Sequence, residues 1–124
     1  MAVILDAGGL IAIDRGDRST TALLRVAQAE SIPVRTSAGA VAQVWRGSRQ
    51  ANLARILTGT ETAPLDRQAA KWVGELLARA GTSDVVDGHV SILVNPNDTI
   101  VTSDADDMRG LLQSRGVKAR IHQV

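Results

Sequence analysis

The chain has 124 residues, of which 44% are hydrophobic, and 14 Lys and Arg against 13 Asp and Glu leave a net charge of +1. It has no cysteine, Phe or Tyr, which excludes disulfides, thiolate metal sites and cysteine nucleophiles and leaves the core to Val, Leu, Ile and Ala, with Trp45 and Trp72 the only aromatics. The length suits one domain, residues 1–124, with a core that needs no staples. Balanced charge neither demands nor excludes nucleic acid, so any basic surface must be local. Asp6 interrupts the apolar start from Met1 to Ile13 and no basic segment precedes it, which argues against a signal peptide. No stretch reaches the ~18 apolar residues of a spanning helix. The expectation is a cytoplasmic protein with no membrane contact.

The periodicity alternates strand and helix along the whole chain. Ala2 to Leu5 reads as a buried strand, followed by a short helix from Asp6 through Ile13. A helix from Thr20 to Ala29 has Ser19 as its expected N-cap, and Pro33 to Thr36 reads as the second strand. Ser37 is placed to cap a helix running to Arg46 with Gly47 as its stop, and Ser48 to cap another carrying Leu53, Ile56 and Leu57 on one face. Glu61 to Ala63 is a third, weak strand.

Asp66 opens the clearest helix, with Ala69, Trp72, Val73, Leu76, Leu77 and Ala80 on its apolar face and Gly81 at its close. A helix from Asp84 to Val94 ends before the turn composition Asn95-Pro96-Asn97. A strand at Thr99 to Val101, a helix from Asp104 to Arg115, Gly116 and a last strand near Lys118 to Ile121 complete the chain. Five strands interleaved with helices predict an α/β fold: a three-layer α/β/α sandwich on a mostly parallel five-stranded sheet.

Five aspartates fall where such a sheet would gather them. Asp6 ends the first strand, Asp84 and Asp87 open a helix, and Asp104 and Asp107 follow the run from Thr99 to Ser103. Loops at the carboxyl ends of parallel strands meet in one crevice, and carboxylates brought together there repel unless a cation neutralises them. A divalent metal is the economical explanation. Several of these acids also have an ordinary reading. Asp84 and Asp104 stand at helix starts, where a carboxylate caps free N–H groups, and Asp107 completes a first-turn acidic pair. Asp6 has no such routine duty at a strand end. His89 and His122 are the only histidines; neither spacing supports a metal cluster or a triad, and core or surface roles suit them better. Gly8-Gly9 lacks the spacing of a dinucleotide fingerprint and reads as a close turn.

Taken together, Ile4-Leu5-Asp6-Ala7-Gly8-Gly9-Leu10-Ile11-Ala12, Val44-Trp45-Arg46-Gly47, Ser83-Asp84-Val85-Val86-Asp87-Gly88-His89-Val90 and Ile100-Val101-Thr102-Ser103-Asp104-Ala105-Asp106-Asp107 resemble, in order and spacing, the PIN domain. The resemblance is strongest to the VapC-type toxin ribonucleases of bacterial toxin–antitoxin pairs, and it covers essentially the whole chain. It implies four acidic positions holding one or two Mg²⁺ or Mn²⁺ ions. Carried over by position, Asp6 is the first acid, Asp87 the third and Asp104 the fourth, with Asp107 a neighbour or substitute. The second position, normally Glu, is Gln43 here, which removes one unit of negative charge from a hard-cation site. The family often has a hydroxyl residue just after the first acid, where this chain has Ala7-Gly8-Gly9.

The implied activity is metal-dependent endoribonucleolytic cleavage, as the toxin component of a VapBC-type system. Asp6, Asp87 and Asp104 would be catalytic metal ligands, while Asp84, Asp107 and Gln43 would orient metal waters. Thr102 and Ser103 would hydrogen-bond a ligand carboxylate or phosphate, their alternative duty being helix capping. Arg46, three residues beyond Gln43 on the expected helix, and Arg49 would contact RNA phosphates, with Arg55 continuing the basic stretch. For Arg46 the alternative is an ion pair with a site carboxylate. The implied partners are RNA, a cognate VapB-type antitoxin and a second copy of the chain in a homodimer. The competing reading is a PIN-fold module, catalytically weakened by Gln43, that binds RNA or a protein partner. A phosphatase or phospho-receiver fits poorly, because the first strand lacks an Asp-x-Asp pair and no acidic pair with a partnered Lys is present.

Overall fold

The computed structural model describes residues 1–124. In chain order the elements are β1 (Val3–Leu5), α1 (Ala7–Asp14), α2 (Arg18–Ala29), β2 (Val34–Ser37), α3 (Ala38–Val44), α4 (Ala51–Thr58), β3 (Glu61–Ala63), α5 (Arg67–Ala80), α6 (Val85–Leu93), β4 (Thr99–Thr102), α7 (Ala105–Arg115) and β5 (Arg120–Gln123). The five strands form one sheet in the order β3-β2-β1-β4-β5, and every neighbouring pair is parallel. The expected α/β architecture is therefore the observed one, parallel throughout.

β1 lies at the centre with all three residues buried, as its unbroken apolar composition requires of a strand covered on both faces. The order reverses on either side of β1, since β2 and β4 flank it. That makes the carboxyl ends of β1 and β4 the topological switch point where an open parallel sheet forms a crevice. The core cluster contains 20 buried residues, all Val, Leu, Ile or Ala except Met108. No helix is long and apolar enough to cross a membrane.

Several local expectations change in the folded chain. α2 begins at Arg18 with Asp17, not Ser19, as its cap: the Asp17 carboxylate accepts from the Thr20 N–H at 3.0 Å and the Thr20 hydroxyl at 2.7 Å. Ser19 merely donates to that same carboxylate. A carboxylate has lone pairs for all three donors, which one hydroxyl lacks.

Ser37 does cap α3, but the helix stops at Val44 rather than Arg46. The Gln50 side chain ends it, accepting from the Arg46 and Gly47 N–H groups while donating to the Val44 carbonyl at 2.9 Å. Those groups would otherwise have continued the helix. α4 then starts at Ala51 after Gln50, so Ser48 caps nothing.

Trp72 is 56% exposed, so the apolar face of α5 narrows to Ala69, Val73, Leu76 and Leu77, with Ala80 half-buried against the core. β5 begins two residues later than expected because Gly116, in the left-handed region at φ 68°, and the Val117 N–H bond to Leu112 first close α7. The Arg120 N–H then reaches the Asp98 carbonyl and starts the ladder. Asp98 itself is buried, accepting from the Ala2 N–H at 2.7 Å and the Asn95 N–H at 2.8 Å. It fastens the start of β1 to the expected turn before β4.

Candidate metal centre

The site begins with two adjacent parallel strands. β1 and β4 pair in register, Leu5 opposite Val101, so the residues that follow them, Asp6 and then Thr102, Ser103 and Asp104, emerge at the same sheet edge. Their close approach is enforced by glycines. A Cβ on Gly9 would lie 2.8 Å from the Val101 carbonyl oxygen, and one on Gly8 would lie 2.7 Å from the Ser103 Cβ. Gly8-Gly9 is thus not a turn but the first turn of α1, laid against the end of β4.

Asp6 is buried, and its carboxylate caps α1 by accepting from the Gly9 N–H at 2.8 Å. It therefore has the structural duty that its strand-end position did not suggest. Burial pushes its carboxyl above the usual range, against the pull of the Thr102 hydroxyl and the Gly9 N–H, and nearby Asp104 adds to the rise. Thr102, also buried, stands between the two acids. Its hydroxyl accepts from the Asp104 N–H at 2.9 Å and favours the ionised form of the Asp6 carboxyl.

Asp104 occupies the N-cap position of α7, yet its side chain caps nothing. Its carboxylate is left free for another use. Asp107 follows one turn on, on the same face of α7. The third contributor comes from α6, where Asp84 caps the helix by accepting from the Asp87 N–H at 2.9 Å. α6 is clamped from two sides, with Gly39 of α3 tight against Val86 and Gly88 tight against Val73 and Leu77 of α5. Held so, Asp87 meets α7.

One carboxylate oxygen each from Asp87, Asp104 and Asp107 lie within 4.8 Å of one another. No Lys or Arg pairs with any of the three; the two ion pairs of the molecule are Arg35–Glu61 and Arg109–Asp106. Asp87 is pushed up to about 6, by burial first and then by Asp84, Asp6, Asp104 and Asp107. A cleft of about 280 Å³ adjoins the cluster, lined by Ser103, Asp104, Ala105, Asp106, Asp107 and Gln123. Uncompensated carboxylates at this spacing form a hard-oxygen donor set suited to Mg²⁺ or Mn²⁺.

Among the residues singled out from the sequence, Asp87 and Asp104 come together, with Asp107 beside them in the same group and Asp6 behind, bound to α1. The i, i+3 spacing of Asp104 and Asp107 at a helix start was the sequence signal for that pairing. Asp84 turns to its own helix. Gln43 is exposed on α3, one turn beyond Gly39 and so toward the side that meets α6.

Arg46 is not on the helical face of Gln43, because α3 has already ended. Its guanidinium donates to the carbonyls of Ala42 at 3.0 Å and Trp45 at 2.7 Å, and to no carboxylate. Arg49 is exposed. His89 is buried, with Nδ1 2.6 Å from the Ser37 hydroxyl, and burial holds its pKa below the usual range. His122 lies 3.1 Å from the Ser19 hydroxyl.

The fold defined by these elements is the PIN-like α/β sandwich. Among solved structures, the chain is similar to VapBC2 from Rickettsia felis bound to a DNA fragment from its promoter, with 16% identity, TM-score 0.71, and 99% of this chain and 100% of that chain covered. It is similar to DNA-bound VapBC from Salmonella typhimurium at 17% identity and TM-score 0.65, covering 98% of each chain. The FitAcB structure from Neisseria gonorrhoeae matches at 16% identity and TM-score 0.60, over 95% of this chain and 96% of that one. No family model and no curated protein matches the sequence.

Proposed function

We propose that this chain is a metal-dependent endoribonuclease, the toxin of a VapBC-type toxin–antitoxin pair. The observation that carries the reading is the convergence of Asp87, Asp104 and Asp107 without a cationic side chain among them. Asp87 and Asp104 would hold Mg²⁺ or Mn²⁺ directly, with Asp6 as a direct or water-mediated ligand oriented by Thr102. Asp107, Asp84 and Gln43 would orient metal-bound water. The bound ion would supply a water of lowered pKa and neutralise charge on the scissile phosphate.

The chain's own residues do the rest. The acid cluster fixes where the phosphate can sit, and Ser103, exposed on the cleft wall, is placed to donate to a phosphate oxygen. Arg46 and Arg49 would contact flanking RNA phosphates, Arg46 after exchanging its carbonyl partners for them. With no Phe or Tyr, base stacking contributes little, and affinity should be strongly salt-dependent.

Two-component complexes among the structural neighbours support a VapB-type antitoxin as partner, and a homodimer in the cytoplasm completes the proposal. The second reading, a PIN-fold module that binds RNA or a partner without cutting, is favoured by Gln43 alone. The deciding assay incubates structured and single-stranded RNAs with the purified chain over a range of Mg²⁺ and Mn²⁺, with chelator and Asp87→Asn controls. Chelator-sensitive cleavage lost in Asp87→Asn upholds the nuclease. RNA or antitoxin binding without cleavage at any metal concentration replaces it with the binding module.

A further inference from the structure

His89 stands two residues beyond Asp87 on α6, and its ring is 1% exposed. Its hydrogen-bond partner is Ser37, whose chemistry dictates the tautomer. Nδ1 lies 2.6 Å from the Ser37 hydroxyl oxygen. That oxygen also accepts from the Gly39 N–H at 3.0 Å and the Ala40 N–H at 3.4 Å, as the N-cap of α3. With its lone pairs engaged by two backbone donors, the Ser37 hydroxyl has only its proton left to offer, so it donates to Nδ1.

A hydrogen accepted at Nδ1 leaves the neutral ring its own proton at Nε2. The bond joins α6 to the amino end of α3, the helix whose Gly39 packs against Val86 of α6.

The geometry points to His89 as a positioning residue: as the Nε2–H tautomer it locks α6 against the amino end of α3 and so holds Asp87 in the acid cluster. This role rests on the metal-centre reading above. Close packing at Gly39 and Gly88 sets the distance of α6 from its neighbours, but apolar contacts alone resist rotation and sliding of a helix weakly. A directional bond on a buried ring adds the missing constraint.

The test is a Mn²⁺ titration of the full chain, with thermal melting in parallel, for wild type, His89→Leu and His89→Asn. Asn presents a carbonyl oxygen where Nδ1 was, and so keeps the bond to Ser37; Leu fills the volume and makes none. We expect His89→Leu to weaken Mn²⁺ affinity about tenfold, the scale seen when a group supporting metal ligands is removed. His89→Asn should stay close to wild type even though both variants melt earlier. Equal affinity in folded His89→Leu and wild type would overturn the positioning role while leaving the metal centre intact. Wild type binding no Mn²⁺ would instead remove the metal centre, and this role with it.

Should His89→Leu fail to fold, Ser37→Ala serves as the affinity variant, with the same expected loss. The ¹⁵N spectrum of the wild-type imidazole reads the tautomer directly at neutral pH. A protonated Nδ1 there would break the bond from Ser37 and overturn the proposal.

Discussion

Gly8 faces Ser103 so closely that any side chain at position 8 would strike it: an added Cβ would lie 2.7 Å from the Ser103 Cβ and 2.9 Å from the Ser103 nitrogen. This contact lays the first turn of α1 on the β4–α7 junction, and thereby brings Asp6 and Asp104 to either side of Thr102. Gly8→Ala should cost about 1–3 kcal/mol by overpacking, since the atoms struck include backbone. Gly110→Ala, in α7 with no atom near the added Cβ, should stabilise by about 0.5–1 kcal/mol through helix propensity. Urea denaturation of both variants checks the pair, and destabilisation by Gly110→Ala, or none by Gly8→Ala, would contradict the packing described.

Mg²⁺ or Mn²⁺ should stabilise the folded chain, because a ligand bound only by the native state does so by mass action. At a hundredfold excess over Kd the gain is about 2.7 kcal/mol. Calorimetric titration and melting should both show it, and Asp87→Ala/Asp104→Ala should lose it. Unchanged binding by that double variant would move the metal away from this sheet edge.

The pH dependence of the metal-free chain follows from Asp87, whose carboxyl is raised from 3.8 to about 6 in the folded state. A raised acid pKa means the folded state prefers the protonated form. That contribution is fully present below about pH 4, the unfolded value, and is lost as pH climbs to about 6. Allowing for solvent screening at this half-buried group, the loss is on the order of 1–2 kcal/mol. The raised carboxyl of Asp6 acts in the same direction. Melting from pH 4 to 7 in chelator should show stability falling, with a shallower fall in Asp87→Asn. Added Mn²⁺ should stabilise more at pH 7 than at pH 5, because the ligand carboxylates must be ionised. A stability that rises over this range, with no difference in Asp87→Asn, would contradict a carboxyl raised by burial and by its acidic neighbours.

Gln43→Glu should tighten Mg²⁺ binding, and with it RNA cleavage at low Mg²⁺, by roughly tenfold, since ligand charge strongly sets hard-cation affinity. Without metal, the same variant should be less stable at pH 7, because one more carboxylate joins an acidic edge. Comparing cleavage against Mg²⁺ concentration in both proteins measures the first effect, and melting in chelator the second. No change in either would place Gln43 outside the reach of the cluster.

The alternation of apolar strand and amphipathic helix was legible along the chain because burial on both faces of a parallel sheet leaves an unbroken apolar signature, as in Val3–Leu5 of β1 and the Ile100-Val101 centre of β4. Helix starts carried by a local carboxylate or hydroxyl were legible too, as at Ser37, Asp66 and Asp84, since the cap and the N–H groups it satisfies lie within three residues. Helix ends were less so. α3 stops at Val44 because a side chain six residues on, Gln50, takes over its hydrogen bonds, and no local preference announces that.

The five aspartates could be picked out singly, but their division of labour is tertiary. Asp6 and Asp84 cap helices, while Asp104, at an equivalent helix start, does not. Which acids face one another depends on how α6 sits against α3, α5 and α7, and on how closely Gly8 and Gly9 let α1 approach β4. The buried contact of His89 with Ser37 joins residues 52 positions apart. Sequence spacing encodes the face of a helix on which a residue lies; only the packing of one helix against another decides what that face meets.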